Sequence, residues 1–374
     1  MKPLAAALLT LLALTWGGAA AAAPTAGADP AAVKVPLVKG LKITRAASER
    51  QGDYESQSVI DSIEADGTLQ LITNADLPGK GGGPPQPITV KRTVRGADLG
   101  TGREYRYVFS TGGQDEYPGA TALGTSADVL SELRAKGEAT VRLDGEVGGL
   151  AGLMGGMLGA AQAGGDAKKG YLSATGVVKL AEPKPLPFSV IVNDAVVELP
   201  AWHVKGRFGE AADAVDVDWH ILDDDANPLS LRFAFGQEKL EVVRIEFPAP
   251  DQAQALETSL AKKKRSVLYG IYFDFDSATI KPQSDPVLRT IAAVMAKNPD
   301  WTLLIEGHTD NIGGDAKNQE LSAHRASAVK AALVARGVAE ARLETAGHGR
   351  STPRATNATL AGRARNRRVE LSRP

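Results

Sequence analysis

Cysteine is missing from all 374 residues of this chain. Its absence excludes disulfide bonds, thiolate metal sites, a cysteine nucleophile and lipid attachment at an N-terminal cysteine. A net charge is missing as well, because 43 Lys and Arg are balanced by 44 Asp and Glu. The chain as a whole lacks the basic excess of a polyanion-binding protein, so we expect no nucleic-acid partner.

Long hydrophobic runs are limited to the first residues of the chain. The run from Leu4 to Trp16 is broken only by two threonines, follows Lys2, and precedes the small residues Ala19 to Ala23. A positive start, a short apolar run and small residues are typical of a secretory signal peptide, and the run is too short for a confident membrane-spanning helix. The sequence predicts a signal peptide at residues 1–23 and therefore an exported protein.

Alternation of apolar and polar residues dominates residues 33–250. It is clearest at residues 139–143, 214–219 and 229–235, and residues 105–109 show it as well. A period of two places one face of each strand in a core and the other in water, and turn-forming residues separate the strands. With one helix, expected at residues 126–136, we predict an antiparallel β-rich domain whose sheet curls or closes.

Residues 147–165 form an uncharged, glycine-rich stretch between two acidic residues. Glycine raises the cost of holding a helix, so the pattern favours a long loop between strands. A loop that touches lipid or a partner is the alternative.

The pattern of the sequence changes after residue 250. A short connecting segment at 251–265 contains a predicted helical stretch at 252–260 and ends in four consecutive basic residues, which are typical of a solvated linker. From residue 266 onward, predicted strands alternate with predicted helices, at 267–275, 282–297, 301–306, 316–336, 342–345 and 368–371. This alternation indicates a two-layer α/β sandwich at residues 266–374, so the whole chain is of the α+β class.

Five short motifs occur in order within this C-terminal part. They are Tyr272–Ser277, Ile305–Asn311, Asn318–Ser322 followed by Arg325, Gly347–Gly349 and Asn366–Glu370. Together they resemble the peptidoglycan-binding domain of the outer membrane protein A and peptidoglycan-associated lipoprotein family. The resemblance implies an OmpA-like fold and noncovalent binding of the peptidoglycan stem peptide. Together with the signal peptide, it implies a periplasmic protein, at most peripheral to the outer membrane. It covers less than a third of the chain.

An acid and a guanidinium converge in this motif set. Asp310 ends a predicted strand and enters a glycine-rich loop, and Arg325 lies on the helix that follows. Asn318, Leu321 and Arg325 are spaced i, i+3 and i+7 and therefore share one helical stripe. Arginine binds a carboxylate through two parallel hydrogen bonds and a carboxylate accepts from an ammonium, so the pair suits a zwitterion.

The resemblance implies the roles of individual residues. Asp310 would bind the amino group and Arg325 the carboxylate of diaminopimelate in the stem peptide. Asn318 and Leu321 would line the pocket, and Asp274 and Arg368 would lie at its edge. The alternative is that Asp310 and Arg325 form a structural ion pair with each other.

No pattern of catalytic, metal-binding or cofactor-binding residues stands out. His203 and His220 fall on separate predicted strands without an acidic cluster of ligand spacing, so we expect no metal site and no cofactor. We expect a wall-binding protein that is not an enzyme. The alternatives use the front domain: as a peptidoglycan-active enzyme, a ligand carrier, or an adaptor for an outer-membrane or periplasmic protein.

Overall fold

The computed structural model describes most of the chain after residue 32. The described residues are 33–49, 52–79, 83, 85–106, 114–146, 171–209, 214–236, 238–249 and 252–374. The predicted signal peptide at 1–23 and the predicted loop at 147–165 lie outside them, as do residues 107–109 of one predicted strand.

Within its described residues, the front unit is built on one sheet of 14 strands with two helices. The strands are β1 Lys42–Glu49, β2 Gly52–Ile63, β3 Leu69–Leu77, β4 Gln86–Val94, β5 Glu104–Arg106, β6 Gln114–Glu116, β7 Ala120–Thr121, β8 Glu138–Glu146, β9 Tyr171–Leu180, β10 Leu186–Val192, β11 Ala195–Phe208, β12 Val215–Leu222, β13 Ser230–Phe235 and β14 Glu238–Glu246. The helices are α1 Gly96–Thr101 and α2 Ala127–Lys136.

Most neighbouring strands of this sheet are antiparallel, as the alternation predicts. The strand β3 shows the physical reason most clearly, because buried and partly exposed residues alternate along all of Leu69–Leu77. The four parallel pairs join β4 to β6, β5 to β7, β5 to β8, and β10 to β14. Since β10 also pairs with β11, the strands β10 to β14 form a closed circuit of hydrogen-bonded neighbours.

The helix α2 begins and ends where its flanking residues dictate. The Ser126 hydroxyl accepts a hydrogen bond from the Val129 backbone N–H, and Gly137 ends the helix in the left-handed conformation at φ 76°. Leu130 and Leu133 are fully buried in a cluster around Trp219. The predicted helix at 126–136 is confirmed.

The C-terminal unit combines a four-stranded sheet with four helices and two short 3-10 turns. Its elements are α3 Gln252–Lys263, β15 Arg265–Leu268, a turn at Pro282–Ser284, α4 Asp285–Lys297, β16 Leu303–His308, α5 Asp315–Val334, a turn at Glu340–Arg342, β17 Leu343–Gly347, α6 Leu360–Asn366 and β18 Arg368–Ser372. The strand order is β15-β18-β16-β17, in which only β16 and β17 are parallel. The chain therefore mixes helices and strands in the two units, as predicted.

Helix α5 lies close against the end of β16 because Gly307 leaves room for it. A Cβ atom at Gly307 would lie 2.1 Å from the carbonyl oxygen of Ser322, so no larger residue fits without moving the helix. Ala326, Val329 and Leu333 on the same helix are fully buried in the core of this unit. This contact fixes the start of α5 beside the loop that follows β16.

Two sequence-based boundaries differ from the structure. The helical stretch predicted at 252–260 within the expected linker 251–265 is confirmed as α3, but its Leu256 and Leu260 are buried in the C-terminal core, because apolar residues four apart share one helical face. The strand expected at 267–275 ends at Leu268. Beyond it, the backbone N–H groups of Tyr269 and Gly270 donate to Asp194 of the front unit instead of a neighbouring strand.

The acidic front and the basic C-terminal part meet in the structure. Residues from 262 onward include 19 Lys and Arg but 11 Asp and Glu, which leaves 24 basic and 33 acidic residues in the rest. The ion pairs between the units join Asp53 to Arg363, Glu55 to Arg367, and Asp76 to Lys281. The charge asymmetry thus serves a contact within the chain. None of the helices in the described residues is long and apolar enough to cross a membrane.

Candidate ligand site after strand β16

Asp310 lies in the loop that connects β16 to α5, and its carboxylate is only 10% exposed. One oxygen, Oδ1, accepts a hydrogen bond from the backbone N–H of Ile312 at 2.9 Å. The other, Oδ2, accepts from Nη1 of Arg367 at 2.6 Å. Each carboxylate oxygen has two lone-pair directions, so Asp310 retains capacity for a further donor.

Asn318 on the first turn of α5 holds the shape of this loop. Its side chain is buried, and Nδ2 donates to the carbonyl oxygens of Ile312 at 3.0 Å and Asp310 at 3.4 Å. Gly313 adopts φ 92° within the loop, a conformation that glycine reaches without strain. Asn318 therefore orders the loop around Asp310 through the backbone.

Arg325 presents a guanidinium with no acidic partner among the described residues. Its Nε donates to the carbonyl oxygen of Ser277 at 2.9 Å, and its Cζ lies 4.8 Å from the ring centroid of Phe273. Burial lowers the pKa of Arg325 to about 10, with a smaller contribution from Arg367, while Asp310 acts in the opposite direction. The expected alternative, a structural ion pair between Asp310 and Arg325, does not form.

Arg367 is the residue at this site that the sequence analysis missed. It bridges Asp310 and Glu55, so a side chain from β2 of the front unit borders the candidate site. Burial lowers the pKa of Arg367, but the charges of Glu55 and Asp310 outweigh it, and the net shift is upward. Arg367 and Arg368 are adjacent in the motif that ends the sequence resemblance. Because side chains alternate at the start of a strand, the two arginines point to opposite faces.

The side chain of Arg368 points into the protein interior. Its side chain is 3% exposed, and its Nε donates to Glu370 at 2.5 Å. Its two other nitrogens donate to the backbone oxygens of Asn366 and Thr352, at 3.2 and 3.0 Å. The structure therefore brings Arg367 to Asp310 and commits the nitrogens of Arg368 to the protein interior, in contrast to the expected position of Arg368 at the pocket edge.

The remaining expected site residues are Asp274 and Leu321. Asp274 is 52% exposed in the segment that also carries Ser277, and its nearest cation is Nζ of Lys281 at 3.9 Å. Leu321 is partly exposed on α5, one turn before Arg325. Leu321 therefore shares a helical stripe with Arg325, and Asp274 precedes by three residues the Ser277 whose carbonyl oxygen accepts from Arg325.

The histidines of the front unit have the acidic neighbours that the sequence analysis did not find around them. His203 and His220 lie directly opposite each other on β11 and β12, and their rings stack with centroids 4.3 Å apart. Asp218 and Glu182 lie within hydrogen-bond distance of His203. Asp218 lies two residues before His220 on β12 and reaches His203 across the strand pair, and Glu182 lies two residues after the end of β9.

Comparison with known proteins agrees with the C-terminal geometry. The family model described as "OmpA family" matches residues 272–367. Outer membrane porin F of Pseudomonas fluorescens is 50% identical over 102 residues, and outer membrane protein A of Bordetella avium is 44% identical over 100 residues. The peptidoglycan-binding protein ArfA of Mycobacterium bovis is 45% identical over 101 residues.

Each of these alignments includes 27% of the present chain. They cover 31% of porin F, 52% of outer membrane protein A and 31% of ArfA, so the chain spans about a third to a half of the relatives it matches. The family match itself lies wholly within the C-terminal unit. Residues 272–367 of this chain form an OmpA family domain.

Proposed function

We propose that this chain binds peptidoglycan noncovalently through its C-terminal unit and so tethers itself, or the cell envelope, to the wall. The observation that carries the proposal is the guanidinium of Arg325, which is half-buried, has no acidic partner among the described residues, and lies in the electrostatic field of Asp310. An unpaired and partly desolvated guanidinium is costly unless a ligand supplies the carboxylate. The relative named as peptidoglycan-binding supports that class of ligand.

The ligand in this proposal is the diaminopimelate residue of the stem peptide, which carries an ammonium and a carboxylate on one carbon. Arg325 binds the carboxylate through two nitrogens, and Asp310 accepts from the ammonium. Leu321 contacts the aliphatic stem, and Asp274 lies at the edge. Asn318 keeps the loop in the binding conformation, and Arg368 contributes by fixing β18 beside Arg367.

The same proposal includes the architecture of the C-terminal unit and the location of the protein in the cell. The C-terminal unit acts as a two-layer α/β sandwich that binds without catalysing a reaction, and the protein works in the periplasm after removal of residues 1–23. In this proposal the front unit, residues 33–250, is a second domain that contacts the wall-binding unit. Ion pairs such as Glu55 with Arg367 support a fixed contact between the two.

A co-sedimentation assay on insoluble peptidoglycan sacculi tests the proposal. We expect the wild-type protein to sediment with sacculi, and Arg325→Ala and Asp310→Asn to remain largely in solution. Arg289→Ala is the matched control, because Arg289 is 67% exposed on α4 and pairs only with Asp285 of the same helix. Turbidity of the sacculi, followed in the same tube, should stay constant.

Two results would contradict the proposal. Equal sedimentation of wild type and both site variants would show that Asp310 and Arg325 do not hold the ligand. A steady fall in turbidity would show that the chain degrades peptidoglycan, which would favour the enzyme alternative.

A further inference from the structure

The front unit contains a cluster of possible metal ligands that lies outside the peptidoglycan site. His203 on β11 and His220 on β12 occupy opposite positions of an antiparallel pair, and their rings are stacked at an angle of 15°. Asp218 lies two residues before His220, so its side chain is on the same face of the sheet. Three ligand atoms, one from each residue, lie within 4.8 Å of one another.

The distances inside this cluster define the arrangement. Oδ2 of Asp218 lies 3.0 Å from Nε2 of His203, and Oδ1 lies 3.6 Å from Nδ1 of His220. The other ring nitrogen of His203, Nδ1, lies 2.8 Å from Oε2 of Glu182. A carboxylate on the far nitrogen of a histidine is the usual arrangement that orients a metal-binding imidazole.

Two of these ligand atoms lack a hydrogen-bond partner. Oδ1 of Asp218 and Nδ1 of His220 are buried and unpaired within the described part of the chain. An unpaired buried polar atom is costly, so a pair of them facing each other calls for a group that satisfies both. A cation coordinated by both atoms does so, whereas an apolar contact does not.

We propose that His203, Asp218 and His220 bind a divalent transition-metal ion of the zinc class, with Glu182 as the carboxylate that orients His203. Imidazole nitrogens combined with one carboxylate suit zinc better than calcium or magnesium, which prefer oxygen ligands alone.

Exposure and charge allow a cation to enter. The two histidine side chains are 12% and 14% exposed, while Asp218 is 37% and Glu182 is 36% exposed. The site is therefore open on the carboxylate side, where a water molecule can complete the coordination. Arg232, opposite His220 on β13, adds one positive charge, but the two carboxylates outweigh it.

The second histidine cluster of the chain provides an internal comparison. Glu306, His308 and His348 also place three ligand atoms within 4.8 Å of one another. However, Arg265 binds Glu306 at 3.1 Å, and the charge of Arg368 acts on His308. Guanidinium groups already neutralise the carboxylate there, so we assign no metal to it.

Zinc binding to the purified full chain tests the proposal directly. After treatment with EDTA, the protein is dialysed against Zn²⁺, and bound zinc is measured by mass spectrometry together with the thermal unfolding midpoint. We expect one zinc ion per chain and a higher midpoint. His220→Gln and His203→Gln should abolish stoichiometric binding, and Glu182→Gln should weaken it about 10–100-fold, because the orienting carboxylate is lost.

Two control variants make the result specific. His324→Gln changes an exposed histidine on α5, and His348→Gln changes the second cluster. Both should bind zinc like the wild type, and all variants should share the metal-free unfolding midpoint within a few degrees. As an independent readout, Co²⁺ should give visible absorption bands in the wild type that are absent in His220→Gln.

Several outcomes would overturn the assignment. They are the absence of stoichiometric zinc in the wild type, unchanged binding in His220→Gln, and loss of binding in His348→Gln alone. If His220→Gln does not fold, unchanged zinc affinity in Glu182→Gln would reject the site, since Glu182 contacts only the far nitrogen of His203.

Discussion

Glu370 is the buried acid on which the C-terminal unit depends, and replacing it tests that dependence. It is fully buried on β18 and accepts hydrogen bonds from Nε and Nη2 of Arg354 at 2.7 and 3.0 Å. Arg368 donates to it at 2.5 Å, and Arg265 forms a third ion pair. Three guanidinium groups therefore share a single carboxylate.

The pKa of this carboxyl sets the expected magnitude. Burial opposes ionisation, but the hydrogen bond from Arg354 and the charge of Arg368 outweigh it and lower the pKa of Glu370 from 4.5 to about 2. A shift of that size corresponds to about 3 kcal/mol of folding free energy. Removal of one partner from a buried ion pair costs a similar 3–5 kcal/mol or so. We therefore expect Glu370→Gln to destabilise the C-terminal unit by about 3–4 kcal/mol at pH 7.

The same shift predicts a pH dependence. Because the folded-state pKa is depressed, the stabilisation is present above about pH 4.5 and is lost as the pH falls toward 2. The wild type should therefore lose stability over this interval, whereas Glu370→Gln should lack that contribution. The two proteins should approach each other in stability at low pH.

Urea unfolding at pH 7 and pH 3, combined with amide hydrogen exchange in β18, measures both effects. Hydrogen exchange reports on the C-terminal unit separately from the front sheet. Glu340→Gln is the control, because Glu340 is 74% exposed and pairs only with Lys330, so its loss should cost less than about 0.5 kcal/mol. A cost below about 1 kcal/mol for Glu370→Gln, or identical pH profiles for it and the wild type, would refute the reasoning from buried charge.

Three further predictions concern packing, pH and helix capping. Gly307→Ala should lower the unfolding midpoint and cost about 1–3 kcal/mol or more, because its Cβ overlaps the α5 backbone, whereas Gly314→Ala meets no atom within 4 Å and should be tolerated. Burial raises the pKa of Asp194 from 3.8 to about 6, so Asp194→Asn should be up to about 3 kcal/mol more stable than wild type at pH 7 and nearly equal to it below about pH 4; an advantage that persists at pH 3.5 would contradict this. Ser126→Ala should cost about 1 kcal/mol in urea unfolding through loss of the α2 cap, and a cost no greater than that of the exposed Ser327→Ala would argue against a capping role.

Local sequence patterns predicted the helices and strands that are stabilised by residues close together in the chain. The helix α2 follows from a capping serine, apolar residues at helical spacing and a terminal glycine, all within twelve residues of one another. The alternation in β3 likewise reports one buried and one exposed face. At 251–265 the helical pattern was also correct, but the basic run suggested a solvated linker although Leu256 and Leu260 belong to the C-terminal core.

The candidate site was predictable in part. The motif resemblance led to Asp310, Arg325 and Asn318, and the structure groups these residues around one loop, although their role in binding stays a prediction. It did not indicate Arg367, because the neighbour that explains its position, Glu55, lies 312 residues away in the chain. A motif within one domain carries no information about a side chain contributed by another.

The sequence alone determined the alternating strands, the capped helix, the OmpA-type motifs and the opposite charge of the two ends, since each depends on residues that are close in the chain or on composition. Tertiary structure decided which charges meet. Strand register placed His203 opposite His220, and docking of the two units placed Glu55 beside Arg367. Contacts between distant residues depend on register and on the packing of whole faces, and a shift of one residue in either would send these side chains to the opposite face.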